Sequence, residues 1–368
     1  MNNMITELEI NNFKSIKHIK MDCKRINVLI GRPNVGKSNI LEALALYTAP
    51  YCDPDKKIFS DYIRYEKLSQ LFYNEDRKKQ VIVKSNLGFC ALKYYGSTIN
   101  AYDILITNDF YILNEMNKQA PGANNNMSEV ERIFNEIVKN KNFHKSGTLD
   151  LFYSAIYGDE KMDRNKFLNN KYNSPIKKYQ FKPLTEHKNH FPLFLNPPFG
   201  DNLYTILEND KDLYKECNSF FRTYGLDLLI NPSYEKLEVQ KVIDGRVYPI
   251  PYSLSADTLQ RYIFHLAAIE TNTDSILLFE EPESHSFPAY ISLLAEKIIE
   301  NKTNQFFIAT HSPDLLMTFM EQSSWDDVAI FIVNFENYET NIKALSNEEL
   351  QSILDNGIDL FFNLRAFA

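Results

Sequence analysis

Hydrophobic and polar residues alternate in ITELEI and again through NNFKSIKHIKM, so the chain is predicted to open on a pair of strands. INVLI, Ile26 to Ile30, is a continuous apolar run that predicts a buried strand, and it leads directly into a glycine-containing loop. Beyond that loop Ile40, Leu41, Leu44 and Tyr47 recur at helical spacing. VIVKSN and GFCALKYY predict a further hairpin. From about Ala101 to Ile230 the pattern turns irregular, rich in Asn, Lys and Tyr, with an extended stretch FPLFLNPPFGDN. It carries neither sustained heptads nor a visible repeat, and is expected to be an insertion of mixed, mainly helical structure.

Regularity returns at KLEVQKVIDGRVYPIPYSLS, two alternating runs around Asp244-Gly245, which is a strong hairpin signal. A helix over Asp257 to Thr271, a strand SILLFE, a helix from about Ala289, a strand QFFIAT, a helix from Pro313 and a strand VAIFIVN follow. Short apolar strands alternating with helices imply a mainly parallel sheet. The expected fold is therefore α/β, with a nucleotide-binding sheet split between the two ends of the chain. The expected division is 1–100 for the amino-terminal lobe, 101–230 for the insertion and 231–368 for the carboxy-terminal lobe.

The loop after INVLI reads GRPNVGKS, the G-x-x-x-x-G-K-[ST] spacing of a phosphate-binding loop in its required strand-loop-helix setting. Gly31 and Gly36 permit backbone conformations that aim N–H groups at phosphates, with Asn34 and Asn39 in the same loop region. Lys37 is placed to reach the β/γ oxygens and Ser38 to ligate Mg²⁺, while the following helix presents its positive end. The same eight letters would suit a GTPase, but the D-x-x-G and N-K-x-D elements are both missing from the sequence. The expected ligands are ATP and Mg²⁺.

Three downstream stretches bear on the chemistry. LLFEEPESHSFP ends an apolar strand on Glu280 and Glu281. These are either a solvated strand-end pair or, given the phosphate loop, a residue holding the Mg²⁺ hydration shell (Glu280) and one polarising the attacking water (Glu281). FFIATHSPDLL puts His311 just past another strand, where it is either structural or a sensor of the terminal phosphate. YSLSADTLQR begins a helix with Ser255 in an N-cap-like position, either an ordinary cap or a phosphate-touching signature that acts across a dimer interface.

Together these stretches resemble the ATP-binding-cassette ATPases related to chromosome-maintenance and recombination proteins, and most of all the AAA-family ATPases of the overcoming-lysogenization-defect kind. The likeness covers roughly the first 95 and last 135 residues. It implies that Lys37 and Ser38 serve phosphate and magnesium, that Glu281 is the catalytic base beside Glu280, that His311 is the switch histidine, and that Ser255 meets ATP on the opposite protomer. Gln70, in LSQLFYN, is the candidate for the glutamine that such relatives carry between lobes. Where their signature has Gly this chain has Asp257. A carboxylate there would repel the γ-phosphate, so either Asp257 points away as a helix-start residue or tight dimer closure needs a partner, and slow turnover is an expectation.

Composition adds limits. The 368 residues carry a formal charge of −8, against a protein coated in nucleic acid. From Lys139 to Lys188, however, eleven Lys or Arg face five Asp or Glu among interleaved aromatics, with Lys177, Lys178 and Lys182 as the densest cluster, either a solvated lysine-rich surface or a patch for a polyanion or an acidic partner. No apolar run approaches the ~20 residues that span a bilayer, and no secretory leader is evident. Cys23, Cys52, Cys90 and Cys217 are widely spaced, as expected of buried thiols in the cytoplasm. About 55 residues follow the histidine motif, too few for the metal-dependent nuclease domain that such relatives often carry. The resemblance thus implies a homodimer or higher even oligomer acting as a sensor or scaffold for a separate nuclease or toxin effector in antiphage defence. A DNA repair ATPase and a non-catalytic ATP-gated module are the rival expectations.

Overall fold

The structure is a computed structural model and describes residues 3–95, 101–108, 151–158, 160–170, 173–183 and 193–367. The predicted opening strands are β1 (Glu7–Phe13) and β2 (Ile16–Asp22), and the loop strand is β3 (Ile26–Ile30). The phosphate-loop helix is α1 (Lys37–Leu44), followed by the hairpin β4 (Val81–Ser85) and β5 (Gly88–Tyr95). Next come β6 (Ala101–Thr107), β7 (Leu151–Ile156), β8 (Met162–Asn170) and β9 (Ile176–Tyr179). Two helices, α2 (Leu203–Asn209) and α3 (Lys211–Arg222), lead to β10 (Asp227–Asn231), β11 (Lys236–Ile243) and β12 (Arg246–Pro251). The carboxy-terminal part runs α4 (Asp257–Thr271), β13 (Ile276–Glu280), α5 (Pro288–Glu300), β14 (Gln305–Ala309), α6 (Pro313–Gln322), β15 (Val328–Glu336), β16 (Glu339–Ala344), α7 (Asn347–Asp355) and α8 (Leu360–Phe367).

Among the described residues the strands make three sheets. The central one has the order β16-β15-β3-β14-β13-β9, parallel except for its β15–β16 hairpin. The two ends of the chain therefore do build one sheet. Both of its faces are covered, which is why β3, β13, β14 and most of β15 read as apolar runs instead of alternating ones. Ile26, Val28, Ile30, Phe306 and Ile308 share one buried cluster with α4, α5 and α6. Leu29, Phe307 and Leu278 point the opposite way, into a second cluster holding Ile40, Leu41 and Leu44 of α1. That second cluster also takes in Leu8, Ile10, Val81 and Val83, from an antiparallel sheet of order β2-β1-β4-β5-β6-β7-β8. The helix behind the phosphate loop is thus clamped between two sheets, which fixes the loop in place.

The third sheet, β10-β11-β12, contains the expected hairpin: Ile243 pairs with Arg246, and Asp244 and Gly245 both have positive φ, the geometry of a two-residue turn matched to strand twist.

The middle of the chain differs from expectation. Its described residues are not mainly helical: β6, β7 and β8 continue the antiparallel sheet, and β9 forms the edge of the central one. The sheet is continuous across residue 100, and β10 and β11 pair on either side of residue 231, so neither expected boundary separates two sheets. The pattern misleads because all seven residues of β6 are buried, which erases the two-residue alternation. Lys177 and Lys178 are also not a solvated cluster. Both are buried in β9, as is Tyr179. The ammonium of Lys177 hydrogen-bonds Asn272 and Ser275 (2.5 and 3.2 Å), and that of Lys178 donates to the Tyr62 carbonyl at 2.8 Å and lies 3.3 Å from Glu280. Most of the remaining basic stretch lies outside the described residues. All four cysteines are buried and unpaired. No described helix is long and apolar enough to cross a membrane.

Candidate active site

The ends of β3, β14 and β13 open onto one cavity of about 490 Å³, lined among others by Gly36, Lys37, Ser38, Glu280, Glu281 and His311. Parallel strands ending side by side make this the natural place for a ligand in such a sheet. Asn34 and Asn39 line it as well, and Gly31 adjoins it at the end of β3.

The loop is held closely. A Cβ on Gly31 would stand 2.3 Å from the Val333 carbonyl oxygen, and one on Gly36 would stand 2.1 Å from the Thr340 hydroxyl, so neither site has room for a side chain. Gly36 also has φ 101°, a conformation that L side chains rarely adopt, and it precedes α1 with no side chain capping the helix. The first N–H groups of α1 are therefore left for an anion. The Lys37 ammonium donates to the carbonyls of Gly31 and Arg32, each at 2.9 Å. Burial lowers its pKa to about 8 against the opposing pull of Glu281, Glu280 and Glu283. An arriving phosphate would complete the neutralisation that these carboxylates begin.

Glu280 ends β13 at the centre of a charge network. Its carboxylate accepts from Arg64 at 2.7 Å, from the Ser38 hydroxyl, and lies 3.3 Å from the Lys178 ammonium. Burial pushes the carboxyl up, but Lys178, Ser38 and Arg64 outweigh it and hold it below the ordinary value. Arg64 also donates to Glu42 at 3.2 Å, and Lys14 pairs with Glu42, which is fully buried in α1. Arg64, Lys14 and Glu42 were not singled out from sequence, and Lys178 was singled out only as part of a basic surface cluster. Each is a charged residue outside any motif, and only the fold brings them to the cavity.

Glu281 follows with φ 46°, an uncommon conformation for a non-glycine residue, fixed by its N–H on the Ala309 carbonyl at 2.8 Å. The turn aims its side chain at solvent and at His311, whose Nε2 is 3.8 Å away. The neighbouring Glu283 braces that histidine: one of its oxygens accepts from the Thr310 hydroxyl (2.7 Å) and the His311 N–H (2.8 Å). The His311 pKa is lowered by burial and by Lys37, against Glu281, so the ring is neutral near pH 7.

Magnesium has a plausible place here. Ser38 and Glu280, the two groups expected to serve it, line the same cavity, and the Ser38 hydroxyl helps hold the Glu280 carboxyl below its ordinary value. No cluster of three or more His, Cys, Asp or Glu able to cage a metal is found among the described residues. A Mg²⁺ ion typically takes one or two protein ligands and completes its octahedron with water and phosphate oxygens, which this pair fits.

Two expected residues stand elsewhere. Ser255 is not an N-cap: α4 begins at Asp257, its N-cap is Ala256, and the Ser255 hydroxyl donates to the Tyr252 carbonyl at 2.7 Å. A short 3-10 turn over Tyr252–Leu254 absorbs the chain there, shifting the helix start by one residue. Neither Ser255 nor Gln70 lines the cavity. The Gln70 side chain instead accepts from the backbone N–H groups of Glu66 and Lys67.

Comparison with known proteins gives the following. A family model described as an AAA ATPase domain matches residues 4–240. The chain is 35% identical over 92 residues to an ATP/GTP phosphatase of Helicobacter pylori, covering 23% of this chain and 25% of that protein. It is 32% identical over 95 residues to an uncharacterized protein of Methanocaldococcus jannaschii, covering 22% of this chain and 41% of that one. The chain thus matches less than half the length of these curated relatives. Among solved structures it is similar to an SmcHead bound to the C-winged helix domain of ScpA, at 13% identity and a TM-score of 0.47, covering 95% of this chain and 99% of that one.

Proposed function

The chain belongs to the AAA ATPase domain family, and on that premise we propose that it binds Mg·ATP at the β3–α1 loop and hydrolyses it. The observation that carries this reading is the meeting of Lys37, the Ser38–Glu280 pair and the Glu281–His311 pair at one cavity. Lys37 and the free N–H groups of α1 bind the phosphates and orient the terminal one toward β13 and β14. Bound Mg²⁺ would supply charge stabilisation at the β/γ oxygens. Glu281, half exposed at the cavity mouth, takes the proton of the attacking water. Neutral His311 donates to the terminal phosphate as charge builds there, and Glu283 holds the ring in position.

The reading extends to assembly and role. Ser255, remote from its own chain's cavity, meets nucleotide on a second copy, so that two chains close over ATP. The closed pair serves as a sensor or scaffold for a separate effector, a nuclease or toxin, in antiphage defence. This last step rests on the likeness of the motif stretches. A DNA-directed reading loses the support of Lys177 and Lys178, which are buried.

Glu281→Gln tests the chemistry. The variant keeps the side-chain shape but cannot accept a proton, so it should bind ATP, lose hydrolysis by a hundredfold or more, and accumulate as an ATP-held dimer in light scattering. Hydrolysis at the wild-type rate would remove Glu281 from the role of base.

A further inference from the structure

The cavity has two ends. Glu280 ends β13, and Glu281 and His311 lie just past β13 and β14, on one side of β3, while β15 pairs with β3 on the other. A ligand with its terminal phosphate toward the carboxylates therefore directs the rest of its length toward the β15–β16 hairpin. That hairpin is fixed on the loop. The Val333 carbonyl faces Gly31, and the Thr340 hydroxyl packs on Gly36 and donates to the Val35 carbonyl at 3.0 Å. Ser15 joins them, 2.6 Å from the Thr340 hydroxyl and 2.6 Å from the Asn39 amide.

Along β15 the two-residue period puts Phe331, Val333 and Phe335 on one face. The first two are buried in the cluster that holds α1. Ile332 pairs with Ile30, so Phe335 lies past the end of β3, beside the glycine loop. There it leaves the core, is 44% exposed and lines the cavity. Apart from His311 at the phosphate end, it is the one aromatic ring among the described residues lining that space.

Building on the nucleotide reading above, we propose that Phe335 is the platform on which the nucleobase stacks. Recognition through a ring face tolerates different bases, since every base has one. The site then takes nucleoside triphosphates with adenine or guanine, without the N-K-x-D element that the sequence lacks.

The test compares two probes on the full chain by calorimetry: Mg·ATP, and Mg·tripolyphosphate, which has the phosphates and no base. Phe335→Ala should weaken ATP and GTP by about tenfold or more, from the usual effect of removing one stacking partner. Its affinity for tripolyphosphate should match wild type, which also shows the loop intact. Phe335→Tyr should restore ATP affinity. In Phe335→Trp, emission should change with ATP and not with tripolyphosphate; the chain's single tryptophan, Trp325, precedes β15 at its opposite end. If wild type binds both probes and Phe335→Ala holds ATP within twofold of wild type, the platform is overturned while the phosphate site stands. Equal loss of both probes in Phe335→Ala overturns it too. A wild type that binds neither probe overturns the nucleotide site, and the platform with it.

Discussion

Lys178 offers the sharpest test of the charge network, because its partner Glu280 is the group proposed to serve magnesium. It is 2% exposed, and its ammonium has two recorded partners, Glu280 at 3.3 Å and the Tyr62 carbonyl at 2.8 Å. In Lys178→Met the stem volume is kept and the charge is removed. Stranding one member of a buried pair costs about 3–5 kcal/mol when nothing else compensates. Here Ser38 and Arg64 still hold the carboxylate, but the Arg64 side chain is 70% exposed and screened by solvent, so its support is partial. The expected loss is therefore about 2 kcal/mol. Glu280→Gln strands Lys178 in turn, leaving it the Tyr62 carbonyl. The double variant should lose less than the sum of the two singles by about 1–2 kcal/mol, the surplus that a contacting pair shows.

Equilibrium urea unfolding of wild type, both singles and the double closes this cycle. Additivity within about 0.5 kcal/mol would refute the pairing. The pH dependence gives an independent check. Glu280 is held below its ordinary value, so in the folded chain it stays ionised where the unfolded one begins to protonate. Its contribution is present above about pH 4.3 and is lost as pH falls through the folded value. Removing Lys178 weakens the pull on the carboxyl, so acid unfolding should begin at higher pH.

His265 should produce a second pH effect, of the same sign and in a different window. It is fully buried between Phe264 and Phe279, and burial lowers its pKa to about 4. The unfolded chain then takes up a proton below about pH 6.5 that the folded one refuses until about pH 4, and stability falls across that interval by roughly 3 kcal/mol. His265→Phe should flatten the slope of urea stability between those values; an unchanged slope would mean that the ring is not buried as neutral imidazole. For assembly, Ser255→Arg should leave ATP affinity intact and abolish hydrolysis, while Lys37→Ala should lose ATP affinity. Mixing the two regenerates one intact composite site per mixed dimer, and the absence of any regained phosphate release would count against action between chains.

Much of the framework of the candidate site was legible because it is local. INVLI and its loop, SILLFE and QFFIAT are short segments whose apolar runs and terminal residues lie next to each other in sequence, and β3, β13 and β14 fall on them. The α4 helix and the Asp244-Gly245 turn are likewise set by local pattern. What could not be read is everything that depends on a distant partner. Lys178 reads as a surface lysine until β13 is placed beside β9, and Arg64 has no pattern around it that points to Glu280 or Glu42. Glu283 was hidden by proximity to Glu280 and Glu281. Its role appears only once β14 delivers Thr310 and His311 to it. In the middle of the chain, burial on both faces removed the alternation by which strands are recognised.

Asp257 shows how one such long-range fact changes a chemical expectation. As a lone carboxylate facing a partner's terminal phosphate, it would oppose closure by about 1 to 4 kcal/mol at 4 Å, depending on how much water remains between them. In the fold it sits in the first turn of α4, where negative charge is favoured by the helix dipole. One turn later Arg261 donates to it at 2.6 Å, and that guanidinium lies 4.6 Å from the Phe181 ring, which restrains it. The charge is thus compensated within its own chain, and what a second copy would meet is a dipole whose field falls off faster than that of a bare ion. Of the two sequence alternatives, the helix-start one describes the geometry. Pairing with Arg261 thus weakens the repulsion that closure of a second copy over ATP would meet, and Arg261→Ala should restore it.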